Sequence, residues 1–134
     1  MNKIDAEITA IESYENITIV LFEAEGTPLS MMSLGVDGSM RVGSRVVVGV
    51  KSTNVAIARE PLGSVSIANQ LPVQLSSIEE GKLLSRLTLL FKGHTLESVI
   101  TTRSLKRMAL EVNETLIALV KSSELSIVGD VECT

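Results

Sequence analysis

The sequence predicts an all-β protein made of two tandem copies of a five-stranded unit. Three observations carry that expectation. Val, Ile and Thr are plentiful, and β-branched side chains favour strands over helices. Apolar and polar residues alternate over short runs that are separated by turns bearing Gly or Pro. Segments of the first half reappear in the second at separations of 67 to 71 residues.

Residues 4–11 alternate in and out as a half-buried strand does, and the polar stretch 12–16 reads as a break. Residues 17–22 form the next strand, Glu25-Gly26-Thr27-Pro28 a turn, and 29–32 a short third strand. Residues 34–43 hold Gly35, Gly38 and Gly43, which predicts a loop with at most one helical turn. Residues 45–51 and 54–58 complete five strands. Pro61 and Gly63 punctuate the stretch 59–64, the best linker candidate.

The second half repeats this order. Residues 69–78 form a strand with Pro72 near its start, where a missing N–H is tolerable. After a turn at 79–82, residues 83–91 and 96–101 are joined by the hairpin turn Lys92-Gly93-His94-Thr95. Residues 104–110 suit a short helix capped by Thr101, Thr102 or Ser104. Residues 116–120 and 124–128 are the closing strands, and the chain reads as a frayed tail from Gly129. The resulting organisation is a first repeat at 1–60, a linker at 61–64, a second repeat at 65–129 and a flexible tail at 130–134.

The self-similarity is spelled out by three matches. Residues 48–57 match 118–127 at an offset of 70, residues 30–34 match 101–105 at 71, and residues 2–11 match 69–78 at 67. A unit of about 65 residues lies near the lower size limit for folding alone. Each buried aliphatic side chain contributes roughly 1.5–3 kcal/mol. Two such units should therefore pack on each other and on further copies of the chain. Five short strands with one helical turn suit a small closed barrel of the oligonucleotide/oligosaccharide-binding (OB) shape.

Composition excludes several functions. Of 134 residues 45% are apolar, which supplies a core, but only 2% are aromatic: Tyr14, Phe22 and Phe91. With a net charge of −4, the chain has neither the positive surface of a nucleic-acid binder nor the stacking platforms of a single-strand binder. No apolar run reaches the roughly 18 residues that span a bilayer. Met1-Asn2-Lys3-Ile4-Asp5 has no apolar signal core, so a cytoplasmic protein without membrane partners is expected. The single cysteine, Cys133, excludes an intrachain disulfide and reads as a bystander in a polar tail. The single histidine, His94, reads as a solvated turn residue, and Glu79-Glu80 as turn carboxylates. Neither a phosphate loop nor a dinucleotide fingerprint is present, and no catalytic constellation is visible, so an enzyme is the least expected class.

The polar residues that recur are Lys51-Ser52 and Lys121-Ser122 at strand ends, and the hydroxyl pairs Ser30 with Ser33 and Thr101 with Ser104. The segment 64–69 opens the second repeat. Hydroxyls, a lysine and backbone N–H groups donate hydrogen bonds without a competing negative charge, which suits a tetrahedral dianion. The same residues also serve structure alone: Lys-Ser at a strand end is common, and Ser/Thr-x-x-Ser before a helix is usually a cap.

Taken together, these elements resemble the Mop or TOBE molybdate-binding domains, over nearly the whole chain to about Val128. The family opens with Ser-Ala-Arg-Asn-Gln-Leu, and here Ser66-Ile67-Ala68-Asn69-Gln70-Leu71 stands. Its Thr-x-x-Ser before a helical turn is matched by Thr101 and Ser104. Its closing Ala-Leu-Ile-Lys-Ala/Ser-Ser is matched by residues 118–123.

The resemblance implies two tandem TOBE/Mop barrels that hold molybdate or tungstate between domains or subunits of a homo-oligomer, with no catalytic cofactor and no resident metal. Carried over by position, the oxyanion-binding candidates are Ser66, Ala68, Asn69, Thr101, Ser104, Lys121 and Ser122 in the second half. In the first half they are Ser30, Ser33, Lys51 and Ser52. The motif's arginine is Ala68 here, and the first half lacks the opening Ser-x-Arg segment. Those departures keep open an interaction or regulatory module with a weakened or lost anion site. The lack of DNA-binding helices and of a transporter ATPase in this sequence favours storage or homeostasis over transcriptional control.

Overall fold

The computed structural model describes residues 1–35 and 40–131. Gly38 and Cys133 lie outside the described residues. The first repeat opens with β1 (Asn2–Tyr14), whose side chains at Asn2, Ile4, Ala6 and Ile8 point inward and whose alternate positions face solvent. The break expected at 12–16 shrinks to Glu15-Asn16, because Glu12, Ser13 and Tyr14 stay paired with Ile19, Thr18 and Ile17 across the hairpin. Then follow β2 (Ile17–Ala24), β3 (Thr27–Leu34) and β4 (Arg45–Val50). A 3₁₀ turn at Ser52–Asn54 takes the first part of the strand expected at 54–58, leaving the short β5 (Ala56–Ala58).

The second repeat has β6 (Asn69–Glu80), β7 (Leu84–Phe91), β8 (His94–Thr101), α1 (Thr102–Met108), β9 (Thr115–Val120), a 3₁₀ turn at Ser122–Glu124 and β10 (Ser126–Asp130). The frayed end expected from Gly129 is strand instead: Gly129 pairs with Val47 and Asp130 with Val46. Pro72 sits in β6 opposite Ile117 of β9, before the pairing with β7 begins at Gln74, so its missing N–H costs no ladder bond to β7. The predicted helix starts two residues early, with Thr101 as its cap: the Thr101 hydroxyl accepts from the Ser104 N–H at 3.1 Å.

Matched details confirm the repeat. Both long opening strands carry a bulge, between Ile8 and Ala10 and between Leu75 and Ser77. The bulge bends each strand, so β1 pairs with β4 over its first half and with β2 over its second. Both second hairpins turn through two residues at positive φ, Glu25-Gly26 and Lys92-Gly93. The inward positions of β2 and β7 are buried in the same order, with Val20, Phe22 and Ala24 matched by Leu87, Leu89 and Phe91.

The sheets do not respect the boundary between repeats. One sheet has the order β10-β4-β1-β2-β3 and the other β5-β9-β6-β7-β8. The last short strand of each repeat therefore completes the sheet of the other. Gly49 helps the exchange: it lies opposite Ser126 of β10, and a Cβ there would come within 2.8 Å of a Val128 methyl carbon. The apolar interior is likewise continuous, and the seam between the halves is filled by Ile4, Leu29, Val55, Leu71, Leu96 and Leu125.

Two side-chain clamps bind the halves together. Asn69, fully buried, accepts from the Ser30 N–H at 2.7 Å and donates to the Ser30 carbonyl at 3.0 Å. Asn2 makes the same pair with the Glu97 backbone, both bonds 2.8 Å. Each asparagine thus satisfies the outer edge of a strand in the opposite sheet.

Two outcomes follow from this architecture. Asn69→Ala leaves two backbone groups short of partners and should cost about 1–3 kcal/mol, read from the urea midpoint. A loss below about 0.5 kcal/mol would mean the clamp is dispensable. The isolated segment 65–131 lacks β5, so it should be unfolded or dimeric by sedimentation; a stable folded monomer would contradict the exchange.

Candidate functional site

The residue matches between repeats need one correction. Aligned on their hairpins, β3 corresponds to β8 at an offset of 67, so Ser30 is the counterpart of Glu97, not of Thr101. The match of residues 30–34 to 101–105 at 71 fails because the former lie in a strand and Thr101–Ser104 caps a helix. The Lys-Ser match holds: Lys51 and Lys121 both precede a 3₁₀ turn in the same extended conformation.

The structure gathers one cluster from both halves. Ser30 of β3, Asn69 at the start of β6 and Ser122 of the second 3₁₀ turn come together, with the Ser30 and Ser122 hydroxyls 2.6 Å apart. Asn69 is buried, whereas both serines are half-buried and retain access to solvent. Lys121, next in chain to Ser122, is exposed. The ion pairs among the described residues are Arg59–Glu114, Arg86–Glu79 and His94–Glu25, so Lys121 joins none of them. Ser66 and Ala68 lie exposed on the loop leading into Asn69, a loop tied by Gln70 Nε2 donating to the Ile67 carbonyl at 3.0 Å.

The other candidates lie apart. Thr101 and Ser104 bond to each other at 3.0 Å at the start of α1, where Arg107 donates to the Ser104 hydroxyl at 3.3 Å. Ser33 faces a cleft that it shares with Met31, Met40, Ser44 and Asp130. Lys51 is exposed and Ser52 half-buried on the first 3₁₀ turn, which packs on β8. Asn54 of that turn donates to a Glu124 carboxylate oxygen at 2.9 Å, linking equivalent positions of the two repeats.

Two residues at this seam escape a reading based on polar motifs: Asn2, the counterpart of Asn69, and Glu97, the counterpart of Ser30. Aligning the two hairpins on Glu25-Gly26 and Lys92-Gly93 would have found the second. His94 is exposed at the first position of β8, 3.4 Å from Glu25 of the first repeat.

Chemically, the Ser30–Asn69–Ser122 cluster offers donors without a carboxylate. One of its two hydroxyls is free to turn its proton outward while the other engages its neighbour. With the Lys121 ammonium beside it, such a site favours an anion that accepts hydrogen bonds from several directions.

A twinned OB-like barrel whose halves exchange strands and share a seam of uncharged donors is the class this architecture defines. Residues 65–127 match the TOBE domain family. The chain is 30% identical over 109 residues, 81% of its length, to the molybdenum import ATP-binding protein ModC of Brucella abortus (strain 2308), and equally to that of Brucella suis biovar 1. It spans 29% of the length of those curated relatives. Its fold matches that of the cytoplasmic molybdate-binding protein ModG, solved with molybdate bound, with a TM-score of 0.89 over 97% of this chain and 96% of that one, at 20% identity. The likeness to ModG establishes the tandem OB-like fold.

Outside the seam, Arg59 and Glu114 latch the exchanged strand β5 to the loop before β9. Their hydrogen bond holds the Glu114 carboxyl below its ordinary value and raises the Arg59 guanidinium further. A carboxyl depressed on folding contributes stability above its unfolded pKa and loses it as pH falls through the folded one. Glu114→Gln should therefore lower the melting temperature at pH 7, and the gap to wild type should close below pH 4 or so. A gap that is unchanged across this range would show that the pair contributes no linked stability.

Proposed function

We propose that this protein is a cytoplasmic, non-catalytic binder of molybdate or tungstate, and that it holds the oxyanion at seams between its halves and between copies of the chain. The observation that carries this reading is the Ser30–Asn69–Ser122 cluster beside Lys121, which assembles donors from both repeats and no carboxylate. Ser66 and the Ala68 backbone, carried on the loop before Asn69, are its candidate contributors from the opening motif. Thr101 and Ser104, beside Arg107, are candidates for a site completed by a neighbouring subunit. The TOBE match and the names of the relatives, a molybdenum importer and a molybdate-binding protein, support the choice of anion.

No helix among the described residues is long and apolar enough to cross a membrane. Ala68 in place of the family's arginine favours the alternative, an interaction module with a weakened site, which the same experiment separates.

Calorimetry with molybdate, tungstate and sulfate is expected to give heat with the two larger anions. Lys121→Ala should weaken binding roughly tenfold or more, since a charge-assisted hydrogen bond contributes roughly 1.5–3 kcal/mol. Lys106→Ala, on an exposed position of α1, should leave it unchanged. No heat with any of the anions from folded protein, or equal effects of the two substitutions, would overturn the proposal.

A further inference from the structure

The two halves present the same seam twice, but with different chemistry. On one side Ser30, clamped by Asn69, faces Ser122 beside Lys121. On the other, Glu97 is clamped in the same way by Asn2, and its strand packs on the 3₁₀ turn that carries Ser52 beside Lys51. The two positions are matched in strand, register, reciprocal asparagine bonds and the Lys-Ser step, although the loop of Ser66 and Ala68 that leads into Asn69 has no counterpart before Asn2. What differs is that a half-buried carboxylate stands where the first seam has a hydroxyl.

A serine at that place donates to an oxyanion, whereas an ionised glutamate can only accept and repels it. Glu97 joins none of the ion pairs among the described residues, so its carboxylate and the Lys51 ammonium are not paired with each other.

We infer that Glu97 makes the Lys51–Ser52 seam incompetent for oxyanions, so that the duplicated protein has one working intramolecular seam, at Ser30–Ser122, and one silenced by charge. This rests on the proposed oxyanion function and makes Glu97 a specificity-determining residue within it. The duplication preserved the scaffold, and a single side chain decides which copy binds.

The test is the number of tungstate ions held per chain, measured by elemental analysis after equilibrium dialysis. Glu97→Ser places at the second seam the side chain that the first already uses, and should raise the count by one per chain. Glu97→Gln removes the charge with little change of size and should raise the count in part or lower the concentration needed to fill the new site. The reverse change, Ser30→Glu, should remove one ion per chain while circular dichroism shows the same strand content. A wild type that binds tungstate with no change in count for either Glu97 variant would overturn this inference and leave the proposed function standing. A folded wild type that takes up no tungstate would overturn the proposed function, and this inference with it.

Discussion

An antiparallel strand at the edge of a sheet presents N–H and C=O groups that need partners, and in this protein the opposite repeat supplies them. Asn69 closes on both backbone groups of Ser30, and Asn2 on both of Glu97. An asparagine is suited to this task because its side chain carries one acceptor and one donor in the spacing of a peptide group. Each clamp reaches out from the first inward-facing position of a long strand, so it is fixed by the same alternation that buries Ile4 and Leu71 two residues later. The clamps and the exchange of β5 and β10 tie the repeats into one cooperative unit, and the interior runs through both without a break.

That arrangement also explains why polar chemistry collects at the seam. The clamp brings β3 of one half against the 3₁₀ turn of the other, and so sets the Ser30 and Ser122 hydroxyls within 2.6 Å. Neither half owns the cluster. A ligand seated there would touch both repeats and stabilise their association by mass action, which couples occupancy to the integrity of the fold. The twofold relation between repeats then gives a second seam, and the divergence of Ser30 from Glu97 lets the two differ in charge while their backbones stay alike.

Much of the fold was legible in the sequence because its signals are local. The alternation in residues 4–8 and 71–75, the paired turns at Gly26 and Gly93 and the Thr101 cap are each set by neighbours along the chain. The exchange of the last strands was not legible. Residues 56–58 and 126–130 pack an equally apolar face whichever sheet they join, and a period of two does not name the partner. The same limit hid the structured end of the chain, since Gly129 resembles a tail residue until β4 is there to pair with it. At the site, the Lys-Ser steps were visible as a repeated motif, but Glu97 was not, because matching hydroxyl to hydroxyl hid the divergence of Ser30 from Glu97. The insertion that shifts the offset from 67 to 70 falls between the third and fourth strands of the repeat.

The central claim is spatial: a large tetrahedral dianion sits where the two repeats meet. Anomalous diffraction at a tungsten absorption edge, from crystals grown with tungstate, locates the heavy atom without reference to any side chain. The account predicts a peak within hydrogen-bonding reach of the Ser30 and Ser122 hydroxyls and the Lys121 ammonium, with none at the seam of Ser52 and Glu97. Tungsten found only at other surfaces, or at both seams alike, would contradict it.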